Sequence, residues 1–494
     1  MCINMEVPKI IVVAGSYPDV GKGVFSSALG YLLKTFGYSV QMLKFDGYLN
    51  VSSGTMNPYH HDMDLAYSEE EVFVLADGYQ ADADSGYYER FLHESFLSDS
   101  NITNGQLFNQ IINLSNAGNI LNYRAMRNLL KKRILNPNYF DKDFLIIEIG
   151  GTIGDKESEI MFECLNLLRQ QEEIKMFPIM LSPFFYEKSA PKTELSFRSK
   201  IIRQAYEKLW RFGLAPKAIV LRQKDDNSLE KQDLEYIALE TGLSIDKVFI
   251  DKDQDSIYDL PASLRKQRLP ELIMDYFGCN YRKPDNKFIE EYAELLKKRN
   301  TFSAKKIAIF GKTMSYDTYV SLKEAIFHAA IGNRINPEIV WLDDSRDWKQ
   351  DLKKCSALIV GEGLENNIEK IKSLEFAYAN DLPTLALSFG VNLMMKSVTK
   401  LNVEELGEGR SDIKNGVLFS GDLKGERLRI SSIPKKNILP IIKDKFDALL
   451  VDDVVFEIKG RNKVYFVGTI YHPEFNSHPM FPHRVFDELM RCLA

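Results

Sequence analysis

Five short apolar runs in the first half of the chain limit its fold more than any other feature. KIIVVAG (9–15), SVQMLKFD (39–46), FLIIEIGG (144–151), MFPIMLSPFF (176–185) and KAIVLR (217–222) are largely continuous rather than alternating, with helical segments between them. Strands that are apolar on both faces need cover on both faces, which is the situation in a mostly parallel α/β sheet. Such sheets collect functional groups at the carboxyl ends of their strands. Lys44 and Asp46 close the second run, and Glu148 precedes Gly150 and Gly151 at the end of the third. A carboxylate in so apolar a strand is costly unless it is paired or metal-bound.

A second α/β series follows a charged stretch at 280–304 that carries one expected helix. It runs through KIAIFGK (306–312), PEIVWLD (337–343), SALIVGEG (356–363) and PTLALSFG (383–390), and resumes at KVYFVGTIYHPEF (463–475). The 494 residues exceed one ordinary core. The expected organisation is a domain at 1–279, a linker at 280–304 and a second domain at 305–494. A net charge of -6 argues against a general polyanion binder such as a nucleic-acid protein. No stretch approaches a membrane span, and the N-terminus runs into a strand without a cleavage pattern. Five scattered cysteines form no CxxC pair, so a reducing cytoplasm is the expected setting.

Between the first strand and its helix lies Gly15-Ser16-Tyr17-Pro18-Asp19-Val20-Gly21-Lys22-Gly23. Backbone N–H groups of such a loop, with the helix N-terminus and Lys22, suit phosphate. The loop departs from a Walker A motif because Gly23 stands at the Ser/Thr position, and an ordinary glycine turn also fits the spacing. Asp82 and Asp84, with Glu148, offer the hard oxygens that magnesium takes beneath phosphates. An acidic stretch of that kind also occurs as solvated surface.

The motifs in order carry a resemblance. KFDGYLN (44–50), SGTMNPYHH (53–61), EVFVLADG (71–78), GYYERF (86–91), EIGGTIGDKES (148–158), GLAPKAIVLR (213–222) and DSIYDLP (255–261) are similar to the amidoligase domain of the CTP synthase family. The resemblance implies a P-loop-type domain with ATP on Ser16, Asp19, Val20, Gly21, Lys22, Gly23 and Val24, and with Asp84 beside it. It implies Mg²⁺ on Asp84 and Glu148, and Lys44 and Asp46 at the phosphoryl-transfer site. Tyr48, His61, Asp155, Glu157, Arg198, Lys200 and Arg203 stand at positions that imply acceptor binding, with His60 as the alternative to His61. It also implies a homo-oligomer, dimer or tetramer, with sites between subunits.

Within KFDGYLN, Gly47 replaces a proline, and the first domain departs from the family at three further places. DMDLAYSEE (62–70) is inserted beside the expected acceptor site, and around the matching Asp82 and Asp84 the residues Tyr79, Gln80 and Ser85 are substitutions. The family's Lys-Thr-Lys-Pro-Thr-Gln run, which shapes the pyrimidine pocket, aligns with Arg198, Ser199, Lys200, Ile201, Ile202 and Arg203, while PKT at 191–193 offers a rival alignment. Positive charge survives and polar base-reading residues do not, which implies an altered acceptor.

Residues 305–494 resemble a class I glutamine amidotransferase domain, with a flavodoxin-like α/β fold. His472 and Glu474 in YHPEF match its base and orienting acid. Ser388 stands where the family has its cysteine nucleophile, Asn392 replaces a glutamine, and Glu362 enters the oxyanion-hole loop. A hydroxyl lacks the easy ionisation of a thiol, and a carboxylate is the wrong sign beside a developing oxyanion. No Arg-rich glutamine-recognition segment is evident in 400–440. The expectation is an ATP- and Mg²⁺-dependent C–N ligase without glutaminase activity, using free ammonia or a small amine on a nucleotide-like acceptor. A separate protein supplying the nitrogen is compatible with it. Ordinary amination of UTP, a nucleotide-binding regulator or filament component, a partner-binding ATPase and a serine hydrolase are the alternatives.

Overall fold

A computed structural model describes residues 7–53, 71–116, 123–171, 174–184, 200–223, 229, 231–285, 287–311, 317–343, 347–361, 367–400, 427, 442–451 and 454–494. The chain divides into two compact units, Met1–Ser52 with Tyr87–Ala293 and Ser53–Gly86 with Glu294–Ala494. His60, His61, the insertion at 62–70, Arg198, Ser199 and Glu362 lie outside the described residues.

The first unit is built on a seven-stranded sheet in the order β5-β2-β6-β1-β7-β8-β9. Its strands are β1 (Lys9–Gly15), β2 (Val40–Asp46), β5 (Asn101–Thr103), β6 (Phe144–Ile149), β7 (Met176–Pro183), β8 (Ala218–Gln223) and β9 (Val248–Lys252), while β3 (Phe73–Val74) and β4 (Gln80–Ala81) form a separate hairpin. Every pairing in the large sheet is parallel. The five apolar runs are therefore strands, and burial on both faces explains why they lack alternation. Helices α1 (Lys22–Thr35) and α2 (Asp84–Leu92), with Lys156–Gln171 and Lys200–Arg211, are among those that accompany the strands. Chain order reverses at β1, where β6 lies on one side and β7 on the other. The carboxyl ends of β1, β2 and β6 consequently meet at a crevice, as expected for a doubly wound sheet. At the far edge, Ile250 N–H of β9 donates to Gln267 Oε1 at 2.7 Å, and Gln267 Nε2 donates to Ile250 O at 2.7 Å.

The second unit carries another seven-stranded sheet, in the order β11-β10-β12-β13-β16-β15-β14. These are β10 (Ser303–Phe310), β11 (Ile335–Leu342), β12 (Ala357–Val360), β13 (Thr384–Leu387), β14 (Phe446–Val451), β15 (Val454–Gly460) and β16 (Phe466–Thr469). The first five strands in that order are parallel, and β15 and β14 add an antiparallel edge. Segment 53–86, which sequence order would leave in the first domain, groups with this unit. Its anchors are specific. Ser321 donates to Glu71 Oε2 through its hydroxyl at 2.5 Å and through N–H at 3.1 Å, and Arg427 Nη1 donates to Val74 O at 2.9 Å.

Candidate functional site

The loop after β1 is fastened at both ends. Ser16 N–H donates to Leu181 O at 2.8 Å, and the Ser16 hydroxyl donates to the Ser182 hydroxyl at 2.7 Å, tying the loop's start to β7. At its other end Gly21 precedes α1 with φ 84°, a left-handed conformation that glycine adopts without strain. Asp19 is also left-handed, at φ 50°, and Val20 packs inward. An α-helix cannot satisfy its first N–H groups internally. The start of α1 at Lys22, Gly23 and Val24, with no acidic residue in its first turn, is thus a natural seat for anionic oxygens. Lys22 Nζ donates to Gly151 O at 3.0 Å, which brings the ammonium to the turn after β6.

Beside this loop, the ends of β2 and β6 build a buried charge cluster. Lys44 and Glu148 are paired in register across the two strands. Lys44 Nζ donates to Glu148 Oε1 at 2.9 Å and lies 3.9 Å from Asp46 Oδ1. Glu148 Oε2 accepts from the Tyr88 hydroxyl at 2.6 Å. Asp46 Oδ2 accepts from Asn101 Nδ2 at 3.0 Å and from the Tyr48 hydroxyl at 3.4 Å. All three charged groups are buried, Glu148 completely. The turn after β6 packs directly on this cluster. Gly150 N–H donates to Phe45 O at 2.7 Å, and a Cβ on Gly150 would lie 2.8 Å from both Asp46 Oδ1 and Phe45 O. Only glycine fits there.

Among the described residues the Lys44 ammonium meets two buried carboxylates, whose hard oxygens are of the kind that also takes a metal cation. Among the described residues no three carboxylate, His or Cys side chains converge into a metal cluster. Magnesium under phosphates needs only one or two carboxylates, the remaining oxygens coming from phosphate and water. The donors at this site are hard oxygens of that kind. Asp84 opens α2, and its N–H donates to Asp82 Oδ1 at 2.9 Å.

A feature that sequence reading missed lies on the other side of the loop. A cleft of about 70 Å³ beside Gly21 and Val24 is lined also by Arg222, Asp251, Asp253 and Ile257. Arg222 donates to Asp251 and Asp253, each at 2.7 Å. Burial pushes the Asp251 carboxyl up to about 6, with Arg222 pulling it partly back. Guanidinium, carboxylates and apolar walls thus meet beside the start of α1 in a space of only a few water molecules. Strand-end charges separated by 29 positions look like solvated surface in a sequence, so no local signal marked them.

The expected acceptor residues are less closely gathered. Tyr48 joins the cluster through Asp46. Asp155 accepts from Thr152 N–H at 2.6 Å, and Glu157 lies on the next helix, where its backbone carbonyl accepts from Asn104 Nδ2 at 2.7 Å. Lys200 begins the helix Lys200–Arg211 and is exposed, and Arg203 donates to Glu240 at 3.2 Å on a neighbouring helix. Among the described residues neither of the last two is hydrogen-bonded to the Lys44 cluster.

In the second unit, Ser388 occupies a sharp strand-to-helix turn after β13. Its φ is 54°, its side chain is buried, and its N–H donates to Thr469 O at 2.7 Å. That is the strained geometry of a nucleophile elbow. Asn392 lies buried in the helix Gly390–Thr399 that follows. His472 is also buried, with its Nδ1 2.7 Å from Glu474 Oε1. Among the described residues its Nε2 has no hydrogen-bond partner, so it does not engage the Ser388 hydroxyl as a serine triad does. The His472 ring stacks on Phe475 at 5.3 Å, Phe475 meets Phe73 edge-on at 5.0 Å, and Phe73 lies under the Arg427 guanidinium at 5.4 Å. His472 N–H donates to Arg427 O at 2.8 Å. Arg427 is thus a buried arginine in a region where the sequence suggested no recognition segment. No described cysteine stands at the elbow. Burial pushes the Cys164 thiol up to about 12 and the Cys355 thiol up to about 11, away from thiolate chemistry.

Comparison with known proteins agrees with this architecture. Residues 9–279 match the family model described as CTP synthase N-terminus, and residues 314–492 match glutamine amidotransferase class-I. A CTP synthase of Sulfolobus acidocaldarius is 29% identical, covering 97% of this chain and 98% of the relative. One from Aeropyrum pernix is 29% identical over 98% of each chain. One from Mycoplasmopsis pulmonis is 27% identical, over 100% of this chain and 99% of its own. The CTP synthase N-terminus match spans more than half of the chain and contains the loop after β1 and the Lys44–Glu148 cluster, and the chain belongs to the CTP synthase family.

Proposed function

We propose that this chain is an ATP- and Mg²⁺-dependent carbon–nitrogen ligase that aminates a pyrimidine-nucleotide-like acceptor with free ammonia or a small amine, its second domain having lost glutaminase activity. The buried Lys44–Glu148–Asp46 cluster beside the phosphate loop carries this reading. The domains of the proposal are the amidoligase at 1–279 and the amidotransferase-like domain at 305–494, joined by 280–304. The setting is cytoplasmic. Among the described residues no helix is long and apolar enough to cross a membrane.

A carbonyl carbon of a pyrimidine resists attack by ammonia because oxygen leaves badly. Transfer of the terminal phosphoryl group of ATP to that oxygen makes it a leaving group, and ammonia then displaces phosphate at carbon. In this reading Ser16, Asp19, Val20, Gly21, Gly23 and Val24 seat the nucleotide, and Lys22 meets its phosphates. Lys44 neutralises charge on the group in transfer, and Asp46 restrains Lys44. Asp84 and Glu148 would hold Mg²⁺, which supplies charge neutralisation when bound. His61, Asp155, Glu157, Arg198, Lys200 and Arg203, with Tyr48, are proposed for the acceptor, in part across subunits of a homo-oligomer. Loss of glutaminase activity is supported by Ser388 at the elbow and by the lack of a partner for His472 Nε2 among the described residues. The His472–Glu474 pair then survives as packing, and the reading is compatible with a separate protein that supplies the nitrogen.

The test is product analysis with ATP, Mg²⁺, ammonium and a panel of pyrimidine nucleotides. Phosphate release that depends on both ammonium and acceptor is expected, with glutamine unable to replace ammonium. No phosphate release with any acceptor would refute the ligase reading. The match to CTP synthases of other organisms along nearly the whole chain favours a second reading, amination of UTP, and CTP formed from UTP alone would establish it.

A further inference from the structure

We propose that Lys44 is the resident counter-ion of Glu148 and surrenders that carboxylate when a divalent cation arrives, while Tyr88 is a positioning residue that keeps Glu148 aimed through the exchange. The subsequent role of Lys44 at phosphate rests on the ligase reading. The exchange itself does not.

The two oxygens of Glu148 are held by donors of different kinds. The Lys44 ammonium sits 2.9 Å from Oε1, and the Tyr88 hydroxyl sits 2.6 Å from Oε2. Glu148 is 0% exposed and Lys44 only 4%, so water does little to screen the cluster. A dication approaching this carboxylate and the Lys44 ammonium compete for the same charge, and their mutual repulsion is strong where solvent is excluded. The phenol carries no charge. It can continue to donate to one lone pair of Oε2 while another accepts a cation, because a carboxylate offers about four such positions.

The surroundings give the two donors different freedom. Tyr88 is 2% exposed on α2, with its ring edge-on to Phe96 at 6.4 Å. It is a packed donor with little room to turn. Lys44 sits on a flexible stem and already lies 3.9 Å from Asp46, whose other oxygen is fixed by Asn101. Asp46 therefore retains the ammonium at the carboxyl end of β2 after Glu148 lets go. The ion pair works as an internal substitute for the cation, and Tyr88 as the fixed half of the clamp. The same residues that neutralise the site at rest thus become available in sequence to two ligands.

The test is Mn²⁺ binding to the full-length protein without nucleotide, read by electron paramagnetic resonance. Lys44→Gln is expected to bind Mn²⁺ roughly tenfold more tightly, because a reciprocal competitor has been removed. Tyr88→Phe, which keeps the ring, is expected to bind roughly tenfold more weakly, as for other groups that orient a metal ligand. Unchanged or weaker binding in Lys44→Gln would overturn the exchange, and unchanged binding in Tyr88→Phe would overturn the positioning role. Mn²⁺ bound by none of the three proteins would overturn both. Should Lys44→Gln fail to fold, acetic-anhydride labelling of the wild type serves in its place: Lys44 becomes more reactive on adding Mn²⁺ if the exchange occurs, and equal reactivity refutes it. Absence of turnover with every acceptor leaves a positive result standing, whereas turnover with unaltered Mn²⁺ binding removes the exchange and spares the ligase.

Discussion

Replacing Arg222 with Met should destabilise the first unit in a way that depends on pH. Asp251, buried at the end of β9, has its carboxyl pushed up to about 6 from an ordinary 3.8, even with Arg222 at 2.7 Å. At about 1.4 kcal/mol per pH unit, the ionised form carries about 3 kcal/mol of burial cost that Arg222 leaves uncompensated. A carboxyl raised in the folded state contributes stability that is complete below pH 3.8 and lost as the pH rises through about 6. At pH 8 Asp251 is ionised in the wild type, and removing the guanidinium strands a buried charge. The loss should be about 3 kcal/mol, at the lower end of values for broken buried pairs. At pH 5 the carboxyl already holds its proton, and the loss should fall to about 1 kcal/mol, the packing of the arginine stem. Thermal melting of the full chain at the two pH values is the assay. The shift should be roughly 6–12 °C at pH 8 and under about 4 °C at pH 5. Adding Asp251→Asn to Arg222→Met should recover most of the loss at pH 8. Equal shifts at both pH values, or no recovery by the second change, would show that Asp251 is not the group that Arg222 neutralises.

Lys22→Ala should weaken ATP binding roughly tenfold or more by removing a phosphate contact, with little change in melting temperature. Isothermal titration checks it, and unchanged affinity would argue for an ordinary turn. Gly150→Ala should reduce ammonia-dependent turnover at least about tenfold, because its Cβ would crowd Asp46 Oδ1 and Phe45 O, both 2.8 Å away. Steady-state phosphate release measures that effect, and near-normal turnover would mean that Asp46 is not needed where it lies. Ser388→Ala should leave ammonia-dependent turnover within about twofold of wild type, and Ser388→Cys should not confer glutamine-dependent turnover. Glutamate release is the readout, and its appearance in the cysteine variant would show that the rest of the glutaminase site is sound.

The strands of the first sheet were legible because two-sided burial leaves unbroken apolar runs such as FLIIEI, and Glu148 stood out against that background. The elbow at Ser388 was legible for a similar reason: a four-residue apolar strand, a turn and a small glycine-led helix occur in immediate succession. Partnership was less visible. Tyr87 and Tyr88 are adjacent in GYYERF, yet only the packing of α2 assigns the hydroxyl of Tyr88 to Glu148. The association of segment 53–86 with the second unit depends on Glu71 meeting Ser321, 250 positions away, which no local pattern announces. Arg222 was overlooked because a charged residue near a strand end is ordinarily solvated, and its two aspartates come from a later strand and its loop. Sequence patterns reported which faces are buried; they said less about which polar groups meet there.

The side chain of Gln267 has a consequence for how copies of this chain associate. By engaging both the N–H and the carbonyl of Ile250, it imitates the peptide group of a neighbouring strand and closes that point of the β9 edge. A strand arriving from another molecule would have to break two hydrogen bonds before making its own. Ladder extension at Ile250 is therefore opposed. A side chain from outside the sheet thus caps the edge of the same sheet whose other strands carry the loop after β1 and the Lys44–Glu148 pair.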